Sequence, residues 1–353
     1  MTLSAFSHPY LSGVLGDTET ANCFTAEAEL SAMLSFERAL ANAEAAAGLI
    51  PVSAAEVIGR ACGSFRPDME ALRAGVAKDG VVVPELIRQL RAAVGSDVGE
   101  FVHLGATSQD AIDTSLMLRL QQVCRLFVGR LKGFDDCLQL LEDQFGGLRL
   151  MAHTRMQPAL PVRVSDRLEA WRQPLQRHRR RMERFLDEGF PVQLGGATGT
   201  LDKLGEKGPV IRLAVAGELG LADEPQWQNQ RDRIADFGAL LSLVTGALGK
   251  FGQDVALLAQ SGEEIALSGG GGSSAMAHKQ NPVAAEVLVS LARYNGVQVS
   301  GLHQALVHEQ ERSGAAWTLE WMILPQMAAA TGAALRLAIE LADNIQSLGT
   351  DQR

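Results

Sequence analysis

Residues 116–145 read LMLRLQQVCRLFVGRLKGFDDCLQLLEDQF, and the spacing of their apolar side chains decides the fold class. Leu116, Leu120, Val123, Phe127, Leu131, Phe134, Leu138, Leu141 and Phe145 recur at steps of three and four, as a continuous stripe along one α-helix requires. A second stripe, Ile234, Phe237, Leu241, Val244, Leu248, Phe251, Val255 and Leu258, keeps the same steps and predicts a helix some ~36 Å long, suited to near-parallel bundle packing. A third long helix begins at Pro282, and a fourth covers residues 317–348 with a kink at Pro325. Upstream, residues 26–50 read as one amphipathic helix stopped by Gly48 and Pro51, and shorter helical pieces continue to about Val94. The expectation is an all-α chain: an N-terminal helical domain over 1–102, a central long-helix bundle over 103–348, and a short tail over 349–353.

Composition agrees. The chain has 353 residues, 46% of them hydrophobic, enough for a large core, and 5% aromatic, which with the Leu and Ala content leans toward helix. A net charge of −9 without a basic stripe gives no electrostatic reason to bind nucleic acid or an anionic membrane, so small molecules are the expected partners. Cys23, Cys62, Cys124 and Cys137 lie far apart with no CxxC pair, which fits reduced thiols in a cytoplasm and not a zinc site. The N-terminal MTLSAFSHPYLSG lacks the pattern of a secretion signal, and no run of ~18 uncharged apolar residues predicts a membrane span. Apolar faces on more than one side of the long helices argue for a homo-oligomer.

The chemistry is expected where helix is interrupted. Residues 268–283, SGGGGSSAMAHKQNPV, place Gly269, Gly270, Gly271 and Gly272 between two helical segments, in a run that no helix or strand would choose. Asn281 can cap the next helix, with Pro282 in its first turn. Ser273, Ser274, Lys279 and Asn281 are thereby gathered where a helix terminus, a cation and amide donors would hold an anion. Thr107, Ser108 and Gln109, before the helix that starts near Asp110, form a second place suited to a carboxylate, or an ordinary N-cap.

The loop GSSAMAHKQNP resembles the GSSxMxxKxNP motif of the fumarase/aspartase superfamily. ATSQDAIDT (106–114) and HTRMQPALPV (153–162) look like the superfamily's first and second shared regions, and QLGGATGT (193–200) and QRDR (230–233) follow in the expected order. The resemblance runs from about residue 20 to about residue 348. Within the superfamily, FVHLGATSQDAIDTSL, QRDRIADF and ERSGAAWTLEWMILP are most similar to the bacterial 3-carboxy-cis,cis-muconate cycloisomerases, of the protocatechuate branch of the beta-ketoadipate pathway.

That resemblance implies a fumarase/aspartase-like fold, no cofactor or metal, a polycarboxylate substrate, and a homotetramer whose active sites are shared between subunits. It assigns acid/base duty to Ser273, with Lys279 and Asn281 stabilising charge, and substrate contacts to Ser274 and Met276 in the loop. Further substrate contacts fall on His103, Thr107, Ser108, Gln109, Thr154, Arg155, Gln157, Arg231 and Arg312. It also implies that a C-terminal small domain usual in the family is absent or reduced here.

Arg155 departs from the superfamily. Lyases that expel an amine, a guanidine or hydroxide carry a histidine there, because poor leaving groups need a proton. Lactone opening expels a carboxylate of ordinary pKa near ~4, which leaves unaided. An arginine can instead grip one carboxylate of a triply charged muconate bidentately. The substitution favours the cycloisomerase over a lyase of a succinyl adduct such as adenylosuccinate or argininosuccinate, although His153 could act as the acid from a shifted position. A catalytically silent homologue is a further alternative, disfavoured by the intact serine loop.

Overall fold

A computed structural model describes residues 4–272 and 280–351 of the chain. Helices α1 (Ser12–Leu15) and α2 (Thr18–Asn22) lead into α3 (Ala26–Ala46), whose first turn is capped by the Thr25 hydroxyl accepting from Ala28 N at 3.1 Å. The helix stops short of residue 50 because Gly48 turns left-handed (φ 68°). α4 (Val52–Ser64), α5 (Met69–Asp79), α6 (Val83–Val94) and α7 (Ser96–Gly99) complete the N-terminal part.

α8 (Ser108–Phe145) is the predicted long helix and, at 38 residues, spans about 57 Å. Eight of the nine stripe residues are buried and Phe145 is half-buried. α9 (Val164–Glu188), α10 (Gly208–Leu219), α11 (Asp232–Ser261), α12 (Val283–Gln304) and α13 (Gly314–Asp343) follow. Every residue of the second stripe is buried on α11. Phe251 there meets Phe134 of α8 at 5.1 Å and Trp171 of α9 at 5.0 Å, both edge-on, and the Trp171 indole N–H donates to Asp254 Oδ2 at 2.7 Å. Burying one such ring contributes about 1.5–3 kcal/mol.

The long helices run in a definite sense. Arg231, the residue before α11, bonds Asp113 near the start of α8 and Glu320 near the start of α13, so these three helices begin together. Their far ends also meet, since Arg149 pairs with Thr350, and the backbone N–H of Met151 donates to Glu264 Oε1 at 2.6 Å. α9 and α12 return between those ends. α11 and α13 are long and apolar enough to cross a membrane, but most of their apolar windows are buried inside the protein, as in core helices.

Three two-stranded antiparallel ribbons qualify the all-α reading without changing the class: β1 (Arg149–Thr154) with β2 (Gln157–Arg163), β3 (Ile265–Leu267) with β6 (Ile345–Leu348), and β4 (Gly271–Gly272) with β5 (Gln280–Asn281). β6 corrects the fourth helix, which ends at Asp343 and not at residue 348; Asn344 O accepts from Ser268 N at 2.8 Å, drawing the chain out of the helix, and Ile345 and Leu348 turn inward. α13 does continue through Pro325.

Candidate active site

The end where α8, α11 and α13 begin is built around buried charge. Asp110 is fully buried and its carboxylate accepts from four donors: Thr107 N (3.0 Å), Gln193 Nε2 (3.0 Å), Gly195 N (2.9 Å) and Gly196 N (2.9 Å). Burial pushes its pKa up to about 6, against the pull of those hydrogen bonds. The helix start is therefore capped by a residue of its own first turn, which also ties QLGGATGT to α8. Glycine is needed at 196 for this, because the backbone is left-handed (φ 70°) and a Cβ would stand 2.9 Å from Gly105 O.

Asp113, one turn on, faces Arg231. The guanidinium reaches Asp113 at 2.6 and 3.2 Å and Glu320 at 2.6 and 2.9 Å, and lies 5.0 Å above the Trp227 ring. All three charged side chains are at most 2% exposed. Burial opposes the guanidinium charge, yet the charge of Asp113 and the hydrogen bonds of Glu320 outweigh it and hold Arg231 more firmly protonated than usual. Gln109, also buried, spends its amide inside the protein: Nε2 donates to Asp113 Oδ2 (3.0 Å) and Gln228 O (2.7 Å), and Oε1 accepts from Arg312 Nε (2.9 Å). Arg312 is exposed and also donates to Ala197 O at 3.2 Å.

His103 sits beside this cluster with its backbone left-handed (φ 63°), and its Nδ1 lies 2.7 Å from Glu37 Oε1 of α3. Burial works against a charged ring, but the Glu37 charge and hydrogen bond, helped by Asp110, carry its pKa above the ordinary histidine value.

The opposite end is exposed. β1 and β2 form a hairpin whose two-residue turn, Arg155 and Met156, is left-handed at both positions (φ 49° and 66°), with Thr154 opposite Gln157. Glycine or asparagine usually fills such a turn, so two bulky side chains there cost backbone strain, a feature that gathers at functional sites. Thr154, Arg155 and Gln157 are all exposed, and Met156 is 71% exposed. Asn281 is half-buried in β5 opposite Gly271, and borders an open cavity of about 470 Å³ with Gly269, Gly270 and Asn344. It does not cap α12, which starts after Pro282. Ser273, Ser274, Met276 and Lys279 lie outside the described residues.

Within one chain, then, His103, Thr107, Ser108, Gln109, Arg231 and Arg312 stand at one end of α8, and Thr154, Arg155, Gln157 and Asn281 at the other. Arg231 and Gln109, expected to touch substrate, are found in contact with protein groups instead: four of the five guanidinium N–H groups and both amide ends are taken. Glu37, Asp110, Asp113 and Glu320 were not marked as site residues by the motifs. Glu37 and Glu320 interrupt apolar helix faces in the sequence, and that break in pattern is the signal that could have found them. Among the described residues no group of three or more His, Cys, Asp and Glu side chains could hold a metal ion.

Comparison with known proteins gives a match to the lyase family over residues 17–301. The chain is 40% identical over 331 residues to the 3-carboxy-cis,cis-muconate cycloisomerase of Pseudomonas putida, covering 92% of this chain and 78% of that protein. It is 34% identical over 351 residues to the enzyme of the same name from Bradyrhizobium diazoefficiens, covering 97% and 78%. The crystal structure of the 3-carboxy-cis,cis-muconate lactonizing enzyme from Pseudomonas putida superimposes with a TM-score of 0.90 at 36% identity, covering 96% of this chain and 77% of that one.

Proposed function

The chain belongs to the lyase family, in its fumarase/aspartase-like fold, and from that premise we propose that it is a cycloisomerase converting 3-carboxy-cis,cis-muconate to 4-carboxymuconolactone. The observation that carries the reading is the 40% identity to the Pseudomonas putida cycloisomerase over nearly the whole chain, together with the retained serine loop.

The reaction adds one substrate carboxylate oxygen to an alkene carbon, closing the lactone ring, while the neighbouring carbon takes a proton. Ser273 delivers that proton, and the alkoxide left behind is stabilised by Lys279 and by loop amides until solvent reprotonates it. Asn281 helps to hold the carboxylate that gains enediolate charge. Arg155 takes another substrate carboxylate as a bidentate partner, which suits a chemistry needing no acid for its leaving group. His103, Thr107, Ser108 and the outer face of Arg312 receive the third.

Of these residues, Arg155 and Asn281 stand at one end of a helix about 57 Å long and His103, Thr107, Ser108 and Arg312 at the other, which supports a homotetramer whose active sites take residues from different subunits. The net charge of −9 and the free cysteines are in keeping with a cytoplasmic enzyme.

The test is ultraviolet absorbance of 3-carboxy-cis,cis-muconate with purified protein and added chelator, since lactonisation removes the conjugated diene. Loss of absorbance with wild type, cut about a hundredfold or more in Ser273→Ala, is the expected result. Amine release from succinyl adducts with the diene untouched would replace this reading by elimination.

A further inference from the structure

Behind His103 lies a carboxylate pocket that none of the shared motifs includes. Glu37, on the inner face of α3, is 1% exposed in its side chain, and its Oε1 is the partner of His103 Nδ1 at 2.7 Å. Seven residues along the same helix, Glu44 is fully buried, and neither of its oxygens has a hydrogen-bond partner among the described residues; Glu37 Oε2 has none either. Burial first, and Glu37 second, push the Glu44 pKa up to about 9, so that carboxyl is neutral at neutral pH. Burial first, and the charge of Glu37 second, push the Cys62 thiol of α4 up to about 12, so it is neutral too. Around the ring, Asp110 of α8 adds to the attraction of Glu37 for a positive charge, and Arg91 of α6 opposes it. Glu37 is thus the carboxyl group in direct contact with the imidazole.

The protonation state of the ring matters because a neutral imidazole donating Nδ1–H to Glu37 would turn a lone pair at Nε2 toward its surroundings and repel an anion. An imidazolium donates at both nitrogens. Among the described residues no hydrogen bond occupies Nε2.

Resting on the polycarboxylate reading above, we infer that Glu37 is a positioning residue that keeps His103 an imidazolium, leaving Nε2–H as a fixed cationic donor for a substrate carboxylate. The ring binds charge and does not shuttle protons. Its strained backbone (φ 63°) and the short contact to α3 hold it in one orientation for that purpose.

Glu37→Gln keeps an acceptor oxygen and the shape while removing the charge. The His103 ring is followed by NMR in histidine-labelled protein, its resonance identified with His103→Asn. In wild type the ring should remain protonated through neutral pH, and in Glu37→Gln its titration should fall by about one pH unit or more. KM for 3-carboxy-cis,cis-muconate should then rise about tenfold near pH 8 and recover near pH 6, where the imidazole regains its proton, with kcat changed less. A wild-type ring that is neutral at pH 7, a Glu37→Gln titration unchanged from wild type, or a KM defect independent of pH would overturn the role of Glu37. The titration needs no substrate, so an intact titration with no turnover of the muconate would count against the proposed activity and leave the Glu37–His103 relation standing.

Discussion

The two ends of α8 answer the same problem, how to present charge, in opposite ways. At the Ser108 end, Asp110, Asp113, Arg231 and Glu320 are buried and each is bonded to partners from the same chain, from segments as far apart as residues 113 and 320. At the Phe145 end, the Arg155–Met156 turn carries its strain in the open, and its arginine has no hydrogen bond or ion pair among the described residues. Buried charge that is fully paired is expensive to disturb and fixes geometry. Exposed charge on a strained turn does little for the stability of the chain that carries it. One end is a closed frame and the other is open to solvent.

The largest effect should come from breaking the frame. Arg231→Met takes the guanidinium away from Asp113 and Glu320 in a buried site and should cost about 3–5 kcal/mol in chemical denaturation. A loss below about 1 kcal/mol would mean that the network is not what holds the three helix starts together. Arg155→Ala should do the reverse, raising KM for a triply charged muconate about tenfold to a hundredfold while the unfolding midpoint stays put. If stability fell and KM did not, the contrast between the ends would collapse.

Glu44 gives the contrast a pH signature. Its carboxyl, ordinarily near 4.5, is raised to about 9, so the folded state holds a proton that the unfolded state releases. Stability on its account is therefore lost as pH rises from about 4.5 toward about 9. Glu44→Gln removes that loss and should be more stable than wild type by about 1–2 kcal/mol at pH 8, with little difference at pH 5, as thermal melts at the two pH values would register. The smallest effect belongs to the turn. Met156→Gly replaces a side chain at φ 66° and should stabilise by up to about 1 kcal/mol, visible as a slight rise in melting temperature.

Helices were the legible part of this sequence, because a stripe such as Leu116 to Phe145 has to be buried by something and its period states how. The strands were not. β6 is four residues long and its pairing with β3 is made eighty residues away in the chain, information that no local pattern holds. At the site, motif residues were legible as motifs but not as roles: Gln109 and Arg231 carry polar groups suited to a carboxylate, and whether those groups face a ligand or their own protein depends on Asp113, Gln228 and Glu320, which arrive from elsewhere. His103 was found, and its partner Glu37 was not, since a glutamate on a helix is ordinarily solvated.

The Arg231 bridge also sets an order of assembly. Its two carboxylate partners lie 118 residues before it and 89 residues after it. While the chain is being synthesised, α8 and α11 can meet as soon as both exist, yet the guanidinium lacks its second anion until Glu320 has emerged. The starts of the long helices are therefore clamped late, when most of the bundle has already been made. A nascent chain halted before residue 320 would hold an arginine committed to one partner and open on its other side, and should be more readily cleaved by protease than the finished protein.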